Sequence, residues 1–155
     1  MSIRTATSSD SEKLLQIAEC VFSSLEKKAY FNWPEHLLRT ELRNVTSTLV
    51  SENEAGEILG FLCFRQMPDF YEISVLATDP SAQKTGVQTR LIQYLQDLAA
   101  KQRIDILLEV HHENERALSL YLKQGFLLVH SRLNYYQDGA EALVFKWVRR
   151  NKAGC

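Results

Sequence analysis

Cysteine, proline and glycine are all scarce in this 155-residue sequence, with three, three and six residues respectively. Cys20, Cys63 and Cys155 are odd in number and show neither CxxC nor Cys/His ligand spacing. This argues against a disulfide framework or a zinc site and favours a reduced compartment. Cys63 falls in an apolar run and reads as a core residue. Pro34, Pro68 and Pro80 each fall where an element should begin or end. The glycines are too few and too scattered for a Walker loop or a GxGxxG fingerprint. No apolar run approaches the roughly 20 residues needed to span a bilayer. The amino-terminal stretch "MSIRTATSSDSEKLL" lacks the apolar region of a secretory signal, so a cytoplasmic protein without a membrane partner is expected. The net charge of −1 and pI near 6.4 leave no basic face for a large nucleic-acid footprint.

What is present is a soluble globular composition, 45% hydrophobic and 24% charged. There is no internal repeat, low-complexity segment or linker, so residues 1–155 read as one domain. A strand is expected over residues 2–7. "SSDSEKLLQIAECVF" reads as a capped helix with Leu14, Ile17, Ala18 and Val21 on one face. Pro34 suits the first turn of a second helix, "PEHLLRTELRNV". "STLVSEN" and "EILGFLCFRQM" form a hairpin turning near Ala55 and Gly56. "FYEISVLATDP" is a strand stopped by Asp79 and Pro80. "TGVQTRLIQYLQDLAAKQR" is the longest helix, with Val87, Leu91, Leu95 and Leu98 in a stripe. Two strands, "FLLVHSRLNYY" and "ALVFKWV", close the chain across "QDGAE", and the last is a candidate edge strand for pairing with a second copy.

The order β-α-α-β-β-β-α-β-α-β-β predicts an α+β domain with a mixed sheet. The strand ending at Thr78, the long helix and the strand from Ile104 form a β-α-β unit. Its strands should be parallel and its crossover right-handed.

Two segments carry chemistry. In "IDILLEVHHENERALSLYLKQGF", Ile104, Ile106, Leu108 and Val110 alternate onto one strand face. Glu109 sits near the end of that run, where a buried carboxylate is costly unless paired or used. Asn114 is a helix N-cap, Leu118, Tyr121 and Leu122 follow at helical spacing, and Gly125 is a C-cap. Read alone, Glu109 fits a strand-end ion pair and Tyr121 a core residue. "DPSAQKTGVQTR" places one glycine at a helix start. That is an ordinary turn, or an anion site where free N–H groups meet the helix dipole. His111, His112 and Glu113 do not make HExxH, and adjacent strand residues point to opposite faces, so no metal is expected.

Taken together these segments resemble the GNAT (Gcn5-related) N-acetyltransferases. "QKTGVQ", residues 83–88, resembles their Gln/Arg-x-x-Gly-x-Gly/Ala loop, and "LLEVHHENERALSLYLKQGF" resembles their later motif, Leu-Glu-Val…Asn-x-x-Ala…Leu-Tyr-x-x-x-Gly-Phe. "NWPEHLLRTEL" and "RLNYY" look like segments of the RimI-type branch, which acetylates a ribosomal-protein N-terminus. The resemblance implies a mixed, mostly antiparallel, splayed sheet flanked by helices, with acetyl-CoA as co-substrate between the two parallel strands. It implies that backbone groups of Leu76, Ala77 and Thr78 line the acetyl and pantetheine arm. Lys84, Thr85, Gly86, Val87, Gln88 and Thr89 would wrap the pyrophosphate, and Asn114 would bond the pantetheine. Glu109 matches the general base and Tyr121 the general acid, and Trp33, Tyr135 and Tyr136 would flank an acceptor. The loop departs from the family pattern at Gln88, where the family has glycine or alanine. If the position needs a positive φ, cofactor affinity suffers; if it is helical, little is lost.

The chemistry is compatible with these groups. An N-terminal amine with pKa about 8 is partly neutral near pH 7, so a modest base suffices. A backbone N–H at the splay can hold the oxyanion. A phenol can protonate the departing thiolate, and neither a metal nor a covalent enzyme intermediate is required. The expected acceptor is a protein or peptide N-terminus, taken by direct attack in a ternary complex by a monomer or homodimer. A small-molecule amine, or a non-catalytic acyl-CoA-binding member of the fold, are the alternatives. Glu26, Glu35 and Glu41 read as solvated helix faces that can attract a cationic N-terminus.

Overall fold

The computed structural model describes residues 1–23, 35–136 and 138–149. Trp33, Glu26, Pro34 and Cys155, singled out above, lie outside the described residues. The elements are β1 Ser2–Thr5, α1 Ser11–Ser23, α2 Glu35–Arg43, β2 Thr48–Glu52, β3 Ile58–Gln66, β4 Phe70–Thr78, α3 Val87–Gln102, β5 Asp105–His111, α4 Glu115–Lys123, β6 Leu127–Arg132 and β7 Ala142–Trp147. The element order is the one the periodicities predict. β1 stops short of its expected end because Thr7 turns the chain. The Thr7 N–H donates to Asp10 Oδ2 at 2.7 Å, and a 3-10 turn over Ser8–Asp10 leads into α1.

Seven strands form one sheet in the order β1-β2-β3-β4-β5-β7-β6. Among the described residues only β4 and β5 pair in parallel; every other neighbouring pair is antiparallel. The last strand is therefore not an edge. β7 returns from its hairpin with β6 along β5, pairs on both sides, and leaves β6 outermost. A hairpin fixes only that its two strands are neighbours; which of them meets the sheet is decided by packing against β5.

Alternation along β3 divides the core in two. Leu62 and Phe64 face α3 and α4, joining Val87, Leu91, Leu95, Ile106, Leu108, Tyr121 and Phe126. Phe61 and Cys63 face α1 and α2, joining Leu14, Ile17, Leu38, Leu42 and Val75. Burial pushes the Cys63 thiol up to about 12, so it is an inert packing residue.

Two local features shape the middle of the sheet. Cys63 pairs with Val75 and Phe64 with Ile73, so Ser74 is an extra residue on β4, a bulge that bends the strand. The Ser74 hydroxyl is held by Glu41 Oε1 at 2.7 Å. Beyond it, β4 and β5 part. Their pairing is confined to Phe70 with Asp105, Tyr71 with Ile106, and Glu72 with Leu107. The carboxyl-terminal halves of both strands thus diverge and open a V. Gly60 lets β3, β4 and α3 close tightly at its far end, since a Cβ there would lie 2.7 Å from Val87 Cγ1 and 2.8 Å from Ala77 O.

Candidate active site

Leu76, Ala77 and Thr78 lie on β4 past the point where it leaves β5, and their ladder partners Leu62, Phe61 and Gly60 are all on β3. Their other edge therefore faces the V. The Thr78 hydroxyl is buried and has no hydrogen-bond partner among the described residues. Such a group is costly unless a ligand or water completes it.

From Thr78 the chain enters the loop before α3. Asp79 accepts from the Ser81 N–H at 3.0 Å and caps a 3-10 turn over Pro80–Ala82. Lys84 (φ 66°) and Gly86 (φ 84°) are both left-handed. At Gly86 that conformation favours glycine. The Arg90 N–H bonds Gly86 O at 3.1 Å, so the N–H groups of Val87, Gln88 and Thr89 precede the helical ladder and point out of the helix end. Gln88 itself lies inside α3, and among the described residues only Lys84, Arg103 and Asn134 are non-glycine residues of positive φ. The departure from the family pattern carries no backbone strain, and Gln88 keeps its N–H. This cradle fits a pyrophosphate by backbone N–H groups and the helix dipole.

Across the V, Glu109 projects from β5 to the sheet face opposite Leu108 and Val110. Its carboxylate, about a quarter exposed, accepts from Arg132 Nη1 at 3.1 Å. A hydrogen bond to Glu109 is the first cause that raises the Tyr135 phenol above its ordinary pKa, followed by burial. The Arg132 guanidinium lies 5.7 Å from the Tyr135 ring centroid. Tyr121 belongs to the other face: it is buried in the α3/α4 core, edge-on to Phe126 at 5.7 Å, and burial pushes its phenol well above the usual range. Tyr136 links the two sides. Burial is the main cause raising its phenol, with the charges of Glu109, Tyr135, Tyr121 and Asp138 adding to it. Glu109, Tyr135 and Tyr121 all lie close enough to Tyr136 to act on its phenol, although Glu109 and Tyr121 spring from opposite faces of the sheet. Asn114 caps α4 through its side-chain oxygen, which accepts the Ala117 N–H at 3.4 Å, leaving its amide NH₂ free to donate.

Three features here carry no sequence signal of their own. Arg132 closes on Glu109 from another strand. His111 and Asp138, 27 residues apart, meet at 2.9 Å. Glu41 is no solvated charge: its side chain is 12% exposed, accepts from Ser74 and pairs with Arg65 at 3.3 Å. Among the described residues there is no group of three or more histidine, cysteine or acidic side chains arranged to hold a metal. A separate surface cleft of about 410 Å³, lined by Asp10, Lys13, Leu59, Asp79 and Ser81 among others, shares none of the residues proposed above for the site.

A sheet opened between two parallel strands, with a helix-start anion cradle on one arm and a carboxylate on the other, is the architecture on which the comparisons with known proteins converge. The model of the Acetyltransferase (GNAT) family matches residues 12–126, and the chain belongs to that family. The family's co-substrate is acetyl-CoA. The N-alpha-acetyltransferase RimI of Mycobacterium tuberculosis is 31% identical over 119 residues, covering 74% of each chain. An uncharacterized protein of Mycobacterium leprae is 30% identical over 149 residues; the match covers 93% of this chain but only 40% of that longer protein. Among solved structures, Ard1 from Thermoplasma volcanium superposes with a TM-score of 0.78 at 25% identity, covering 97% of this chain and 98% of that one. No helix among the described residues is long and apolar enough to cross a membrane.

Proposed function

We propose that this domain transfers acetyl from acetyl-CoA to a primary amine, in particular the N-terminal α-amine of a protein or peptide, by direct attack in a ternary complex. The carrying observation is the splay, which leaves one edge of β4 at Leu76, Ala77 and Thr78 without a strand partner, on the side where β5 carries Glu109. The cofactor's amides would continue the β4 ladder there. Its pyrophosphate would rest on the N–H groups from Lys84 to Thr89, and Asn114 would donate to the pantetheine.

Glu109 takes the role of base. The acceptor reaches the site as an ammonium ion, replaces Arg132 at the carboxylate and gives it one proton; the neutral amine nitrogen then bonds to the thioester carbon, the C–S bond breaks, and the second nitrogen proton ends on the CoA sulfur as the thiol. Tyr121 is a donor to the departing sulfur. Its raised pKa keeps it protonated at neutral pH, so it stabilises the thiolate chiefly as a hydrogen-bond donor. Tyr135 and Tyr136 would flank the acceptor backbone. The relative named for N-alpha-acetylation supports the choice of α-amine. The alternative of a non-catalytic binder drew on Gln88, and its helical placement removes that ground.

Glu109→Gln and Tyr121→Phe should each lower kcat by roughly 100-fold, the lower end for loss of a general acid–base group. The Km for acetyl-CoA and the melting temperature should hold. Steady-state kinetics on a peptide with a free N-terminus checks this, and unchanged kcat in both variants would remove the proposed roles.

A further inference from the structure

His111 is fully buried, yet it is a polar ring where a leucine would fill the space without desolvation cost. Both ring nitrogens are used. Nδ1 accepts the Glu113 N–H at 3.1 Å, so in the neutral ring the proton sits on Nε2, which donates to Asp138 Oδ2 at 2.9 Å. The ring also packs on Tyr136 with centroids 4.7 Å apart. The second oxygen of Asp138 accepts the Ala140 N–H at 3.0 Å. Ala140 O in turn accepts the N–H groups of Tyr135 and Tyr136 at 3.1 and 3.3 Å. One carboxylate therefore ties a buried ring on β5, two residues beyond Glu109, to the turn that sets the backbone of both tyrosines.

We propose that His111 and Asp138 form a positioning pair that fixes the tyrosine-bearing β6–β7 connection against Glu109 and so determines how tightly the acceptor is held. This rests on reading the site as the acceptor side. Neither residue touches the reacting atoms; each acts through Tyr135 and Tyr136. Because Asp138 joins β5 to the β6–β7 connection and touches neither the loop before α3 nor Asn114, its loss should affect the acceptor and spare the cofactor, whereas His111 also holds the Glu113 N–H beside Asn114. A fully satisfied buried network rigidifies what it joins, and one lost member frees the rest.

The test uses the full chain, acetyl-CoA and a peptide with a free N-terminal alanine. Asp138→Ala and His111→Leu should raise the acceptor Km about tenfold, the size expected for losing one hydrogen bond to a charged group. In Asp138→Ala the acetyl-CoA Km and kcat should stay within about twofold. His111→Gln keeps a donor facing Asp138 and should restore most of the acceptor Km. If His111→Leu does not fold, Asp138→Ala, whose side chain is 36% exposed, carries the test. An unchanged acceptor Km, or an equal rise in the acetyl-CoA Km, overturns the proposal. If the natural protein acetylates no peptide, the acceptor reading fails separately, and hydrogen exchange decides the positioning role. Asp138→Ala should then speed exchange in residues 133–141 but not 79–90, and unchanged exchange in 133–141 overturns it.

Discussion

Glu109 shows how far a single residue can be read in advance. Its place at the end of an apolar strand run marks it as paired or used, and the structure gives it a partner, Arg132, at 3.1 Å. Local alternation carries the position; the partner comes from another strand and has no local signature. The same holds for His111, whose sequence neighbours suggest at most a metal motif and whose actual partner is 27 residues away. If Glu109 receives an ammonium ion, Arg132 competes for that place. The pair is half-exposed, so it is worth at most about 1 kcal/mol. Arg132→Ala should therefore lower the acceptor Km by no more than about fivefold, a change that peptide kinetics at low ionic strength will resolve. Gln88 marks the opposite outcome. Its helical placement means that Gln88→Gly should bring no gain in acetyl-CoA affinity and should cost about 1 kcal/mol of stability by calorimetry, the ordinary penalty of glycine in a helix.

At the level of elements, strands and helices were legible because each obeys one periodicity, and the parallel pair followed from the crossover helix between its strands. Boundaries were less so. Side-chain competition for backbone groups decides them, as where Asp10 draws the Thr7 N–H and ends β1 early. Asp10 also has a measurable consequence. The Arg4 guanidinium, first, and the Thr7 N–H hold its carboxyl down to about 2. A carboxyl lowered in the folded state stabilises the fold only while ionised. That contribution is complete above the unfolded value near 4 and fades as pH falls towards 2. Asp10→Asn should flatten the acid limb of the stability curve in that window, as followed by urea unfolding. Gly60 tests the closure of β3, β4 and α3. A Cβ at 2.7–2.8 Å from Val87 and the Ala77 carbonyl must displace backbone, so Gly60→Ala should cost about 1–3 kcal/mol and lower the melting temperature by several degrees.

On the scale of the whole molecule, the parting of the two parallel strands was expected from the family resemblance and not from any periodicity. Nothing in the residues of β4 or β5 announces that pairing ends at Glu72 and Leu107. Just past that point β4 carries the bulge at Ser74, gripped by Glu41 from α2, and both partners are long-range. The last strand, a candidate edge in the sequence, lies inside the sheet, since the hairpin pattern is symmetric until the sheet breaks it. The edge is β6, whose residues are all exposed and include Leu127 and Leu128. On the proposed reading, the splay lets a thioester on one arm meet an amine held at the other. The most direct trial is to give the protein acetyl-CoA and a lysine-containing peptide with a free N-terminal alanine, beside the same peptide with its N-terminus blocked, and to locate the product by mass spectrometry. Acetyl on the α-amine of the free peptide, none on the blocked one, and near loss of product with Glu109→Gln is the predicted result. Acetyl on the lysine side chain of both peptides, or equal product from Glu109→Gln, would contradict it.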